Sequence, residues 1–211
     1  MSKSQGALDG LNVVSLEQLA VVPACSAMMA DLGASVIKVE DPRKGDLIRV
    51  AKFGGISNDE SLTFHPLFEA LNRGKRSVAL NLATEPGREA LFRLIEKADL
   101  FMTSLRAGSL KRLGLDYESV SARFPGLVYV TFTGYGNRGP ESERPALGAG
   151  AFWSRAGFAA TFGEPDAPPT MARIGVDDMV ASLALLGPVM AALWHRERTG
   201  EGQPLEAIGK G

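Results

Sequence analysis

Asp166 stands in the turn Gly163-Glu-Pro-Asp-Ala-Pro-Pro169, where Pro165, Pro168 and Pro169 fix the backbone φ angle. A carboxylate acts as a nucleophile when it is held rigidly and partly removed from water, and this turn follows an apolar, glycine-rich stretch. On composition alone the plainer reading, a turn aspartate between prolines, is the stronger one. A second segment, Gly134-Tyr-Gly-Asn-Arg-Gly139, literally matches the dinucleotide fingerprint and follows an apolar, β-branched run. The fingerprint works by placing a pyrophosphate at a helix N-terminus. Here Pro140-Glu-Ser-Glu-Arg144-Pro145 follows, which reads as a loop, so a glycine turn that admits a ligand close to the backbone fits better than NAD or FAD. A third segment, Asn72-Arg-Gly-Lys-Arg-Ser77, sets Arg73, Lys75 and Arg76 around a glycine. It reads as a solvated turn or as a phosphate contact, and it lacks the upstream glycine of a Walker A loop.

Other chemistries find no anchor. The chain has two histidines, His65 and His195, at no metal-binding spacing, and one cysteine, Cys25, so neither a metal centre nor an intrachain disulfide is expected. No GxSxG elbow is present. The formal net charge of −1 over 211 residues gives no general attraction to nucleic acid or anionic lipid. The first ten residues lack the apolar core of a signal peptide, and with the single cysteine this leads to an expected cytoplasmic location. The apolar stretch from Met179 to Trp194 is interrupted by Gly187-Pro188 and reads as a buried helix, not a membrane span.

The elements that must position these residues alternate. Leu11–Leu16, Ser35–Val39, Ser77–Leu82, Leu100–Met102 and Leu127–Thr133 read as strands. Helices are expected over Pro23–Leu32, from Thr84 onward, around Ser109–Leu113, over Tyr117–Arg123, over Ala146–Phe162 and over Val176–Arg198. Asp41–Ser61 reads as a long loop. Strand and helix in alternation predict an α/β, Rossmann-like fold with a mostly parallel sheet.

Several of these segments together resemble the family III CoA-transferases, which have an acyl-CoA racemase branch. The similar runs are Ala30-Asp-Leu-Gly-Ala-Ser-Val-Ile-Lys-Val-Glu40, Leu71-Asn-Arg-Gly-Lys-Arg-Ser-Val-Ala-Leu-Asn-Leu82, Leu110-Lys-Arg-Leu-Gly-Leu-Asp-Tyr117, Thr131-Phe-Thr-Gly-Tyr-Gly-Asn-Arg-Gly-Pro140, Gly163–Pro169 and His195-Arg-Glu-Arg-Thr-Gly-Glu-Gly-Gln203. The resemblance implies transfer of CoA from an acyl-CoA to a carboxylic acid through an aspartyl anhydride and an aspartyl-CoA thioester. It makes Asp166 the nucleophile. Leu19 and Ala20 would lie against CoA, with Leu71, Asn72, Arg73 and Gly74 on its adenine side. Ser104, Leu105 and Arg112 would touch it further along, Arg112 meeting a phosphate. Thr133, Gly134, Tyr135 and Gly136 would sit near the pantetheine arm. CoA and acyl-CoA come as substrates, and no permanent cofactor, metal, membrane or nucleic acid is implied.

The chain departs from the family pattern in places. Thr103-Ser104-Leu105 replaces a frequent Glu-Asn-Phe. Leu147 stands where the racemase branch has a histidine, and the racemase acid falls near Asp178, so transferase is favoured over racemase. Family members run to about twice this length. Residues 1–203 are therefore expected to form the CoA-binding portion and 204–211 a short tail, with the second domain absent. A truncated, non-catalytic CoA-binding paralogue is the remaining alternative. In the family two chains interlock, which implies a homodimer or higher association.

Overall fold

Strand-forming and helix-forming segments alternate in the folded chain as their periodicities require. The computed structural model describes residues 6–50, 65–164, 166–173 and 175–209. The order is β1 (Asn12–Leu16), α1 (Val21–Asp31), β2 (Ser35–Glu40), a 3-10 turn (Leu47–Arg49), α2 (Pro66–Asn72), β3 (Arg76–Ala79), α3 (Glu85–Ile95), β4 (Leu100–Thr103), α4 (Ala107–Leu113), α5 (Tyr117–Arg123), β5 (Val128–Thr133), a π-helical turn (Ala149–Ser154), α6 (Phe158–Thr161), α7 (Val176–Thr199) and β6 (Pro204–Ile208). The six strands are all parallel and lie in the order β3-β2-β1-β4-β5-β6. This is the expected Rossmann-like α/β sheet.

The period of two along each strand divides the core. Val13, Val36, Leu100, Met102, Val128 and Val130 face α1 and α7. Val14, Leu16, Val39, Phe101 and Tyr129 face the opposite layer, where Leu91 and Ile95 of α3, Leu110 of α4 and Val120 of α5 pack. Caps set the helix starts: Thr84 accepts from the Gly87 amide, and Asp116 from the Ser119 amide. Gly114, with φ of 67°, ends α4 in the left-handed conformation.

Four sequence expectations are corrected. Residues 204–208 are not a tail: they form β6, paired with β5 from Tyr129↔Pro204 to Thr133↔Ile208. Pro204 is tolerated because it opens an edge strand. The helix expected over Ala146–Phe162 is instead a π-helical turn and the short α6, separated at Gly157, whose φ of 86° breaks the helical path. Gly187-Pro188 does not interrupt α7, which runs unbroken for 24 residues. Both residues are exposed, so the carbonyl that proline leaves unpaired is on the solvent side. Nor is α7 wholly buried: Leu185, Val189 and Ala192 enter the core, while Val180, Leu183 and Trp194 are exposed. By length and composition α7 could cross a membrane. One face of it packs on the sheet and α1, and near its end Arg196 pairs with Asp99 at 2.9 Å. Of the loop expected over Asp41–Ser61, residues 51–61 lie outside the described residues, as does Pro165.

The joint between α7 and β6 is sterically tight. The Gly202 amide donates to the Pro125 carbonyl at 3.0 Å, and a Cβ on Gly202 would overlap the Leu127 carbonyl oxygen. Gly202→Ala is expected to destabilise the fold by about 1–3 kcal/mol, as overpacking against backbone does. Thermal unfolding of the variant against the parent protein checks this, and an unchanged midpoint would count against the close approach.

Candidate functional site

In an open parallel sheet of this order, ligands bind beyond the carboxyl ends of the strands, where the order reverses between β1 and β4. The chain ties those two ends together. Thr103 Oγ1 donates to the Leu16 carbonyl at 2.8 Å, the Gln18 amide donates to Ser104 Oγ at 3.0 Å, and the Leu105 amide donates to Thr103 Oγ1 at 3.1 Å. A cleft of about 380 Å³ opens there. Leu19, Ala20, Ser104, Leu105, Thr133 and Gly134 line it, together with Arg106, Arg144 and the acids Asp177 and Asp178. A second, more apolar cavity of about 1030 Å³ shares Leu19, Ala20, Ala146–Gly148 and both acids with the cleft, and adds Leu71, Ile48 and Trp153.

Two glycines let the walls close. A Cβ on Gly134 would overlap the Ala146 side chain, and one on Gly148 would overlap the Asp177 carboxylate. Asp177 and Asp178 open the first turn of α7. Asp177 is buried and Asp178 half-buried. Among the described residues, no hydrogen bond or ion pair engages the Asp178 carboxylate. Burial, and secondarily the neighbouring Asp177 charge, push its carboxyl up to about 6.

The structure brings together Leu19, Ala20, Leu71, Ser104, Leu105, Thr133 and Gly134 on the two cavities. Other expected residues fall elsewhere. Asp166 is exposed and lines none of the described cavities. Arg112 is exposed, donates to Ser109 Oγ at 2.9 Å and lines none of the described cavities. Arg106 and Arg144, which the sequence reading passed over, face the cleft in its place. Arg73 turns outward to pair with Asp31. Asn72 is buried, its amide donating to the Phe68 carbonyl at 3.0 Å. Gly74, with φ of 74°, makes the turn that follows. Tyr135 and Gly136 are buried beside the cleft without lining it; the Arg144 and Arg155 guanidinium groups stand 5.3 and 5.4 Å from the Tyr135 ring centre.

Lys75 corrects the reading of a cationic phosphate cluster. Its side chain is buried and donates to Glu17 Oε1 at 2.7 Å, to Asn72 Oδ1 at 3.0 Å and to the Pro23 and Leu71 carbonyls. All three of its donor directions are committed, so it holds α2 in place instead of meeting a ligand. Burial alone would raise the Glu17 carboxyl, but the Lys75 and Lys38 ammonium groups hold it below its ordinary value.

A dinucleotide site is not built here. The β1–α1 turn, Glu17 to Ala20, carries no glycine. Glu40, at the end of β2, already accepts from Arg49, Ser77 and the Asp46 amide; these partners overcome its burial and hold its carboxyl at about 2. The fingerprint-like Gly134–Gly139 run leads into turns and not a helix. One signal in the sequence marks the two acids that line both cavities: Asp177-Asp178 are the only charges in the apolar run from Val176 to Trp194.

Comparison with known proteins agrees with this geometry. The chain is 38% identical over 201 residues to the succinyl-CoA:mesaconate CoA-transferase of Haloarcula marismortui, covering 94% of this chain and 50% of that protein. It is 35% identical over 196 residues to the (R)-2-hydroxy-4-methylpentanoate CoA-transferase of Clostridioides difficile, covering 93% and 49%. A solved CAIB/BAIF family protein from Brucella suis superposes with a TM-score of 0.88 at 36% identity, covering 98% of this chain and 54% of that one. The chain thus spans about half the length of the relatives it matches. The model of CoA-transferase family III matches residues 8–207, and the chain belongs to that family.

Proposed function

We propose that this chain handles coenzyme A in a CoA-transferase reaction, moving CoA from an acyl-CoA to a carboxylic acid. The observation that carries the reading is the half-buried Asp178 carboxylate, unpartnered among the described residues, in a cleft at the sheet's switch point that Arg106 also lines. Membership of the family and relatives named as CoA-transferases support it. The nucleophile assigned by sequence resemblance was Asp166; its exposed position favours giving that role to Asp178.

The chemistry runs through a carboxylate nucleophile. Asp178 attacks the thioester carbonyl; the C–S bond breaks and CoA leaves as thiolate, with a mixed anhydride remaining. The thiolate attacks the aspartyl carbonyl, frees the donor acid and forms an aspartyl-CoA thioester. The acceptor carboxylate attacks that thioester and again releases thiolate. The thiolate then attacks the acceptor's carbonyl, which yields the new acyl-CoA and restores Asp178. A carboxyl raised to about 6 is still mostly ionised at pH 7, and it is a stronger nucleophile than one at its ordinary value. Backbone amides at the Gly134 and Gly148 turns supply donors for the oxyanions. No histidine lines the described cavities, and Leu147 stands exposed at their shared wall, which leaves a histidine-based racemase without its base.

Asp178→Asn is expected to abolish the CoA adduct detected by protein mass spectrometry after mixing with acyl-CoA, whereas Asp166→Asn retains it. The reverse pattern in folded variants would return the role to Asp166.

The raised carboxyl also sets a pH dependence. Adduct formation should fall on acidification with an apparent midpoint near 6. The folded state holds the Asp178 proton more tightly than the unfolded chain, so stability from this group is present below its ordinary value of 3.8 and lost as pH rises through about 6. Asp178→Asn should therefore raise the unfolding midpoint at pH 7.5 and change it little near pH 3.5. Equal effects at both pH values would contradict the assignment.

Arg106→Gln is expected to weaken CoA binding by about 1.5–3 kcal/mol, the range for a hydrogen bond to a charged group. Arg112→Gln should leave it unchanged. Calorimetric titration with CoA at low and high salt distinguishes the two, and the converse result would restore Arg112 to the site.

A further inference from the structure

We infer that Asp46 is a positioning residue for the CoA cleft, holding Leu19 in the left-handed conformation that shapes the wall between the two cavities. The inference rests on the CoA-binding reading above. Among the described residues, Leu19 is the only non-glycine with positive φ, at 66°. A leucine avoids this region because its Cβ crowds the following carbonyl, so the surroundings must hold it there. The Leu19 amide donates to Asp46 Oδ1 at 2.9 Å, and the Ile48 amide donates to the same oxygen at 3.0 Å. The other oxygen, Oδ2, accepts from Lys38 Nζ at 2.7 Å. Lys38 Nζ also lies 3.6 Å from Glu17 Oε1, and the Asp46 amide is anchored on Glu40 Oε2 at 3.0 Å.

Both ends of the Asp46–Lys38 pair are buried, with side-chain exposures of 0% and 1%. The carboxylate is gripped on both oxygens and cannot swing away from Leu19. Asp46 lines neither the 380 Å³ cleft nor the 1030 Å³ cavity, whereas Leu19 and Ala20 line both. Asp46 acts on a ligand there through two backbone contacts, the Leu19 amide and the 3-10 turn that it caps, whose Leu47 lines the cleft and Ile48 the larger cavity; Leu19→Gly separates the first route from the second. Release of that amide would let Leu19 relax to an extended conformation and carry Ala20 with it.

The test is CoA affinity by calorimetry for the parent protein, Asp46→Ala, Asp46→Asn, Leu19→Gly and the double variant Asp46→Ala/Leu19→Gly, each checked for fold by circular dichroism. Asp46→Ala should weaken CoA about tenfold, as release of a left-handed leucine implies. Asp46→Asn keeps an oxygen acceptor for Leu19 and should stay within about threefold of the parent. Glycine enters the left-handed region freely, so Asp46→Ala should cost less affinity when residue 19 is glycine. An equal cost in both backgrounds, or an equal loss in Asp46→Asn and Asp46→Ala, overturns the inference. Should Asp46→Ala fail to fold, Lys38→Met carries the same cycle: a loss relieved by Leu19→Gly supports the inference, and no loss or an unrelieved one overturns it. If the parent protein binds no CoA, the CoA reading fails. Hydrogen exchange at the Leu19 amide then decides the positioning role, faster exchange in Asp46→Ala supporting it and unchanged exchange overturning it.

Discussion

Two lysines are buried beneath the end of β1, and the carboxylates of Glu17 and Asp46 meet their charges. Desolvation makes such a group costly unless every partner is in place; removal of one partner from a buried pair typically costs about 3–5 kcal/mol. The pairs are spread across the chain. Glu17 follows β1, Lys38 lies in β2, Asp46 precedes the 3-10 turn, and Lys75 follows α2. Satisfying all four therefore forces four segments to converge. Ser26 of α1 joins them by donating to Glu17 at 3.0 Å. The loop that lines both cavities hangs from this network.

The rest of the site depends on that convergence. The sheet supplies a rigid floor through its two-sided core, and the switch between β1 and β4 leaves an opening at the carboxyl ends. The Glu17–Lys75 pair fixes α2, whose Leu71 walls the apolar cavity. From the other side, α7 enters with its first turn and delivers Asp177 and Asp178. Its apolar body, through Leu185, Val189 and Ala192, holds that turn against the sheet. Gly134 and Gly148 then remove the side-chain volume that would otherwise separate these parts. A hydrophobic helix thereby anchors a carboxylate that is itself short of partners, and that shortage is what raises its proton affinity.

Much of the fold was legible in local pattern. Short apolar, β-branched runs marked five of the six strands, because a strand covered on both faces by helices is rich in such residues. The sixth, Pro204–Ile208, was not legible: Glu206 and an opening proline make it look like a tail, and only pairing with β5 makes it a strand. Tyr117–Arg123, which Asp116 caps, was found at its true bounds. The stretch from Ala146 to Phe162 misled, since alanine and aromatic content suggested one helix where Gly157 divides a π-helical turn from the short α6.

The sequence by itself determined the α/β class, the order of the elements, the family and the identity of most residues at the carboxyl edge of the sheet. These follow from short-range periodicity and from motifs that lie within single segments. Tertiary structure decided which charges are available for chemistry. Arg73, Lys75, Arg106, Arg112 and Arg144 carry the same charge, yet only Arg106 and Arg144 of these face the cleft, Arg144 paired with Glu141, and Lys75 is spent on Glu17. Asp166 and Asp178 are likewise the same residue type. One is exposed on a turn, and the other is carried into the cleft on α7 with its carboxyl desolvated. A side chain's solvation and partners are set by segments distant in sequence, so its chemistry is decided only when those segments meet.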